Sequence, residues 1–182
     1  MDIDIKLTPV GVDEKEILRH LLEKYNYEFS QYGNKDVNYL GLYGYDYLDY
    51  YWTEKDRWAF FIHVNQRLAG FAMVNTHAEV PEQTDYTLAE FFVMHRYRGC
   101  GVGRYAVFQI FGMFQGKWQL KRHPKNVGSV HFWNKVIHEY TGGNHRYIQG
   151  HPHATYDDGT CADVFIFKSP AGASIQANTR TC

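Results

Sequence analysis

One stretch constrains this chain more than any other: Val93-Met94-His95-Arg96-Tyr97-Arg98-Gly99-Cys100-Gly101-Val102-Gly103-Arg104. A run of strand-forming residues ends where it begins, and an apolar helical pattern from Tyr105 to Phe114 starts where it closes. Between the two, glycines fall at 99, 101 and 103. Glycine lets the backbone take φ > 0 and lets a ligand approach main-chain N–H groups with no Cβ in the way. The helix start that follows adds unpaired N–H groups and the positive end of its dipole, which together favour an anion. Arg98 and Arg104 flank the loop and can add charge-assisted hydrogen bonds to phosphate oxygens. The stretch reads as a pyrophosphate cradle between a strand and a helix. Its Gly-x-Gly-x-Gly spacing is neither the dinucleotide fingerprint nor a P-loop, since Gly103 is followed by Arg104-Tyr105. A glycine-rich turn that holds no ligand is the alternative.

The rest of the chain alternates around this motif. Residues 2–8 alternate as a strand with one buried face, and Asp13 can cap a helix carrying Ile17, Leu18, Leu21, Leu22 and Tyr25. Residues 30–52 have no period and read as a loop with a short helix. Arg57–Val64 and Arg67–Asn75 form a hairpin about Asn65-Gln66, and a third strand runs from Tyr86 to Met94. After the glycine loop and its helix comes a short strand, Lys117–Arg122. A helix opening at Asn126 follows and stops at Gly142-Gly143. Strands at Arg146–Gln149 and Cys161–Lys168 enclose a polar loop, His151–Gly159. The class is α/β (α+β), with one mixed sheet of about seven strands in a single domain over residues 1–168. Residues 169–182 are small and polar and read as a flexible tail.

Composition removes several functions. The net charge of −1 gives no field for nucleic acid, and no apolar run could cross a bilayer. The N-terminus has no secretory pattern, and three cysteines suggest neither a disulfide framework nor a zinc ribbon. A cytoplasmic protein is expected. His151, His153, Asp157 and Asp158 lack a second cluster at metal spacing, so no metal is expected.

The motif Arg98-x-x-Gly101-x-Gly103 resembles motif A of the GNAT superfamily of acetyl-coenzyme A-dependent N-acetyltransferases, and residues 86–143 look like a bacterial branch of it. The element order follows the family over nearly the whole chain. The resemblance implies acetyl-coenzyme A as co-substrate, with its pyrophosphate on Arg98, Gly99, Cys100, Gly101, Val102, Gly103 and Arg104. Val93 stands where the family's bulged strand meets the pantetheine arm, and N–H groups near Val93 and Met94 would stabilise the oxyanion. Asn126 and Ser129 stand where the next helix meets that arm. One departure is chemical. Many members end this run with a tyrosine that protonates the departing thiolate, whereas here Trp133 occupies the place, and an indole N–H is no useful acid. Tyr140 is a candidate replacement.

Amide formation needs an uncharged amine, hence a general base. Glu90, between Ala89 and Phe91 on the strand before the loop, is the candidate, because a carboxyl among phenylalanines has its pKa raised. Tyr43, Tyr45, Asp46 and Asp49 lie in the segment that commonly shapes the family's acceptor site. Aromatic faces and carboxylates favour a small cationic amine: a polyamine, an amino sugar or an amine-bearing antibiotic. A non-catalytic acyl-coenzyme A sensing module and a protein or peptide N-acetyltransferase are the alternatives. The Arg146–Phe167 edge offers a route to a homodimer.

Overall fold

The computed structural model describes residues 3–170. In chain order its elements are β1 (Ile5–Pro9), α1 (Lys15–Ser30), α2 (Tyr50–Thr53), β2 (Arg57–Val64), β3 (Arg67–Asn75), β4 (Tyr86–Val93), α3 (Val102–Met113), β5 (Lys117–Arg122), α4 (Val127–Thr141), β6 (His145–Thr155) and β7 (Cys161–Lys168). Short 3-10 turns precede α1 and follow β4. The hairpin turn predicted at Asn65-Gln66 has φ of 49° and 65°, the doubly positive form that matches strand twist.

The strands form one sheet in the order β1-β2-β3-β4-β5-β7-β6. Two apolar layers clamp it. α3 and α4 bring Val107, Ile110, Phe111, Trp133, Val136 and Ile137 onto Phe60, Val74, Leu88, Trp118 and Phe165. On the opposite face Leu18, Leu21 and Leu22 of α1, with Leu48 and Tyr51, cover Phe61, Phe71, Met73 and Phe92. The α1 stripe is narrower than its sequence implies, since Ile17 is exposed.

The sheet is divided at its middle. All neighbouring strands are antiparallel except β4 and β5, which pair in parallel only at Tyr86↔Trp118 and Thr87↔Gln119. A bulge explains the separation. Met73 lies opposite Glu90 and Val74 opposite Leu88, so Ala89 is an extra residue in β4. A bulge bends its strand and increases its twist, turning β4 away from β5 beyond Thr87. The irregularity therefore sits four residues before Val93, where the sequence reading put it. At Val93 the special feature is instead its partner Gly70, where an added Cβ would lie 2.0 Å from the Phe92 carbonyl oxygen.

Three further expectations change. The predicted polar loop 151–159 is mostly strand, because β6 continues to Thr155 past a register shift. β7 is interior, which leaves β6 and β1 as the sheet edges. Ser169 is buried, with its hydroxyl bonded by Trp118 Nε1 at 3.1 Å, so packing continues one residue past the expected domain end. The remainder of the expected tail, 171–182, lies outside the described residues.

Candidate functional site

The cradle takes the form its glycines allow. Gly99 and Gly101 have φ of 80° and 85°, the left-handed region where a side chain is strained. Gly101 caps α3, and the Tyr105 N–H donates to the Gly101 carbonyl at 3.0 Å as the helix opens. The N–H groups of Val102, Gly103 and Arg104 thus begin the helix without intrahelical partners, as at any helix start. A Cβ on Gly103 would meet the Phe132 ring at 3.1 Å, so α3 and α4 meet closely there. This geometry fits a pyrophosphate held by main-chain donors.

The two arginines are engaged elsewhere. Arg98 donates from Nε to the Val93 carbonyl at 2.6 Å and forms a forked pair with Glu28 of α1 at 2.8 and 3.0 Å. Arg104 pairs with Glu139 of α4 at 2.6 Å and lies 4.5 Å from the Phe108 ring centre. Both guanidiniums brace the cradle against its neighbouring helices. The main chain is left to face an anion.

The start of α4 is similarly self-bonded. Asn126 Oδ1 accepts the Ser129 N–H at 3.1 Å, and the Ser129 hydroxyl donates to the Asn126 carbonyl at 3.0 Å. Trp133 is buried behind this start, edge-on to Phe91 at 5.4 Å, while Phe132 stacks on Phe91 at 5.9 Å. Phe132 rather than Trp133 is therefore the α4 ring that meets the cradle. Tyr140, two helical turns beyond Trp133, is packed among Phe108, Phe111 and Phe167 with its hydroxyl buried and unpartnered. A hydroxyl enclosed by those rings does not fit the expectation that it supplies the acid. The Met94 N–H is also committed, donating to Ala69 at 2.8 Å, so it is not a free oxyanion donor.

Glu90 projects from β4 on the α1 side of the splay. It is partly buried, and its carboxylate accepts the Tyr45 hydroxyl at 3.1 Å. Burial pushes its pKa up to about 7, while hydrogen bonds from Tyr25 and Tyr45 restrain the rise. Tyr25 and Tyr45 are in turn pushed well above the usual phenol range, first by burial and next by the Glu90 charge. Both phenols thus remain protonated donors to the carboxylate.

On the same face of the sheet lies an open cleft of about 680 Å³, walled by Glu23, Tyr27 and Glu28 of α1, by Leu42 and Tyr43, and by Phe92 and Met94. Its carboxylates are bonded: Glu23 accepts the N–H groups of Tyr43 and Gly44, both at 2.8 Å, and Glu28 holds Arg98. Of the acceptor residues read from the sequence, Tyr45 reaches Glu90 and Tyr43 lines the cleft. Asp46 and Asp49 are exposed, and Asp49 pairs with Lys15, so neither carboxylate joins the cleft wall. Glu54, Asp56 and His77 bring three potential metal-ligand atoms together, but Arg57 already holds Glu54 at 2.5 Å. Tyr25 was legible in the sequence only as a core position of the helix stripe. Glu28 carried no functional signal there.

The family model described as the acetyltransferase (GNAT) family matches residues 16–138. No curated protein matches the chain in sequence. Among solved structures, an acetyltransferase from Thermus thermophilus superposes with a TM-score of 0.62 at 16% identity, over 90% of this chain and 96% of that one. Spermidine N-acetyltransferase from Vibrio cholerae, in complex with CoA and spermine, gives 0.60 at 10% identity over 91% and 95%. The ribosomal-protein-S18-alanine N-acetyltransferase from Escherichia coli gives 0.56 at 12% identity over 95% and 99%. Identities this low establish a shared fold, and the acceptors named for these proteins differ between a polyamine and a protein. No helix among the described residues is long and apolar enough to cross a membrane.

Proposed function

Because the chain belongs to the acetyltransferase (GNAT) family, and is thereby a transferase that uses acetyl-coenzyme A, we propose that it acetylates the primary amine of a small molecule by direct attack. Glu90 is the base in this reading. The observation that carries it is a partly buried carboxylate at the splay between β4 and β5, bonded by the Tyr45 hydroxyl at 3.1 Å, with burial pushing its pKa up to about 7.

Acetyl-coenzyme A supplies an activated acetyl thioester. The N–H groups from Gly99 to Arg104 would hold its pyrophosphate, with Val93, Asn126 and Ser129 along the path to the splay. Glu90 removes the proton that keeps an amine unreactive near neutral pH, and a carboxyl poised near 7 is matched to that task. Tyr45 and Tyr25 fix the carboxylate and hold down its pKa. Phe91 and Phe132 stack on the other side of β4 and limit water there. The acceptor, itself cationic in solution, is drawn by Glu23, whose carboxylate meets only main-chain N–H groups, and packs against Tyr27, Tyr43 and Phe92.

The test is release of free thiol from acetyl-coenzyme A against a panel of amines, with Glu90→Gln beside the wild type. The variant should retain cofactor binding and lose roughly 10²- to 10⁴-fold in kcat. Undiminished turnover in Glu90→Gln would remove the base assignment. Cofactor binding with no turnover on any amine would favour a sensing module.

A further inference from the structure

Beyond the end of β5, on the other side of the β4–β5 splay from Glu90, aromatic rings from three separate elements pack together. Tyr32, just past the end of α1, stacks on His123 at 5.5 Å with 27° between the ring planes. His123, just past the end of β5, packs on Tyr156 of the β6–β7 turn at 4.5 Å. A row of rings leads there from Glu90: Tyr25 contacts Phe29 at 4.6 Å, and Phe29 contacts Tyr32 at 6.2 Å. His123 is only 2% exposed, which shows how completely the rings cover it.

Polar contacts pin the same junction. Lys125 pairs with Asp158 of the β6–β7 turn at 2.8 Å, and Thr160 donates its N–H and hydroxyl to Asp158 at 2.9 and 2.7 Å. Lys121 lies 5.7 Å from the Tyr156 ring centre and pairs with Glu79 at 2.8 Å. His123 Nδ1 accepts the Lys125 N–H at 3.2 Å, which assigns the neutral ring's proton to Nε2. Nε2 is buried without a hydrogen-bond partner, and Asp158 Oδ1 stands 3.8 Å away. A buried donor left unpaired costs stability. The ring is therefore held in place by its aromatic neighbours and the Lys125 contact, not by a bond at Nε2.

We propose that the Tyr32–His123–Tyr156 stack is a clasp that closes the passage between the end of α1 and the β6–β7 turn, so that the acceptor is a compact amine and not a polypeptide. The inference deepens the reading of Glu90 as the acceptor-side base and rests on it. Position supports it. Glu90 lies three residues beyond the last β4 pairing residue and His123 four beyond the last on β5, so the two flank one opening. With this side closed, the acceptor enters through the cleft beside Tyr27 and Tyr43. A peptide lying across the opening would have to separate three rings and the Lys125–Asp158 pair.

Two measurements test the clasp. In the first, diethyl pyrocarbonate modification of the histidines is followed by mass spectrometry, with exposed His131 as reference. Burial already holds the His123 pKa low, so its imidazole is neutral and slow reaction reports closure, not charge. His123 should react at least about tenfold more slowly than His131, because reaction requires local opening, and Tyr32→Ala should remove that protection while Tyr32→Phe keeps it. Equal rates in the wild type overturn the clasp whatever the activity shows. In the second, kcat/KM is compared between putrescine or 2-phenylethylamine and a decapeptide with a free N-terminal alanine and an internal lysine. The wild type should favour the small amines by at least about 100-fold, and Tyr32→Ala or His123→Ala should narrow that ratio about tenfold through a gain on the peptide. Peptide acetylation by the wild type at a comparable rate overturns the proposal, as does protection of His123 with no gain in either folded variant. If no amine turns over, the acetyl-transfer reading fails, while His123 protection still decides the clasp.

Discussion

Glu90, the proposed base, joins burial to titration in one side chain. Its carboxyl must be ionised to accept a proton, and its pKa is pushed up to about 7, so kcat/KM should rise with pH through that value. Tyr45→Phe removes a hydrogen bond that favours the ionised form, so the acidic limb of the profile should move to higher pH. A pH–rate series on the two proteins checks this, and an unmoved limb would detach Tyr45 from the titration. The same shift has a stability consequence. The folded-state pKa lies above the unfolded value of 4.5, so the folded protein holds this proton more tightly, and stability falls as pH rises from about 4.5 through about 7. Glu90→Gln should accordingly be more stable than the wild type at pH 8 by up to about 3 kcal/mol, with the gap closing near pH 4. Urea unfolding at the two pH values measures it. The sequence placed Glu90 between Ala89 and Phe91, from which a raised pKa follows, but not its phenol partners, which come from residues 45 and 65 positions away.

At the scale of elements, one buried arginine ties α4 to β5 and β7. Arg122 at the end of β5 donates to the Val130 carbonyl at 2.7 Å and to Asn134 Oδ1 at 3.0 Å, both in α4. It also pairs with Asp163 of β7 at 3.2 Å, and both partners are buried. Replacing Arg122 by leucine strands a buried carboxylate, which typically costs about 3–5 kcal/mol. Asp163 keeps the Tyr147 hydroxyl at 2.7 Å and the Gly150 N–H at 3.0 Å, so the loss should fall at the lower end. Arg122→Leu with Asp163→Asn should recover part of it, measurable by denaturant titration. The junction of α3 and α4 is equally tight. Gly103→Val would drive a branched side chain into the Phe132 ring, and should weaken acetyl-coenzyme A binding more than it lowers the melting temperature of the free protein. The hairpin at Asn65-Gln66 and the strands β5 and β7 were readable from local pattern. The bulge at Ala89 was not, because a bulge is defined by what lies opposite on β3.

For the whole molecule, cofactor binding and folding are linked. A ligand selective for the folded state stabilises it by RT ln(1 + [L]/Kd), about 2.7 kcal/mol at a hundredfold excess over Kd. Acetyl-coenzyme A should raise the melting temperature of the wild type, and Gly101→Glu should abolish the rise. That substitution puts a side chain at φ of 85° and a negative charge where phosphate is expected. A shift retained in the variant would move the pyrophosphate elsewhere. The sequence by itself determined the order of elements, the glycine turn before α3 and the apolar faces. Alternation, helical stripes and glycine's access to φ > 0 are properties of neighbouring residues. Only the tertiary structure decided which charges meet. Arg98 and Arg104 flank the cradle in sequence, yet their partners Glu28 and Glu139 lie 70 and 35 positions away. It likewise buried Trp133 and Tyr140 and left Asp49 on the surface. It also joined Tyr32, His123 and Tyr156 into one stack. A long side chain chooses its partner from whatever the fold brings within a few ångströms, and no local pattern carries that information.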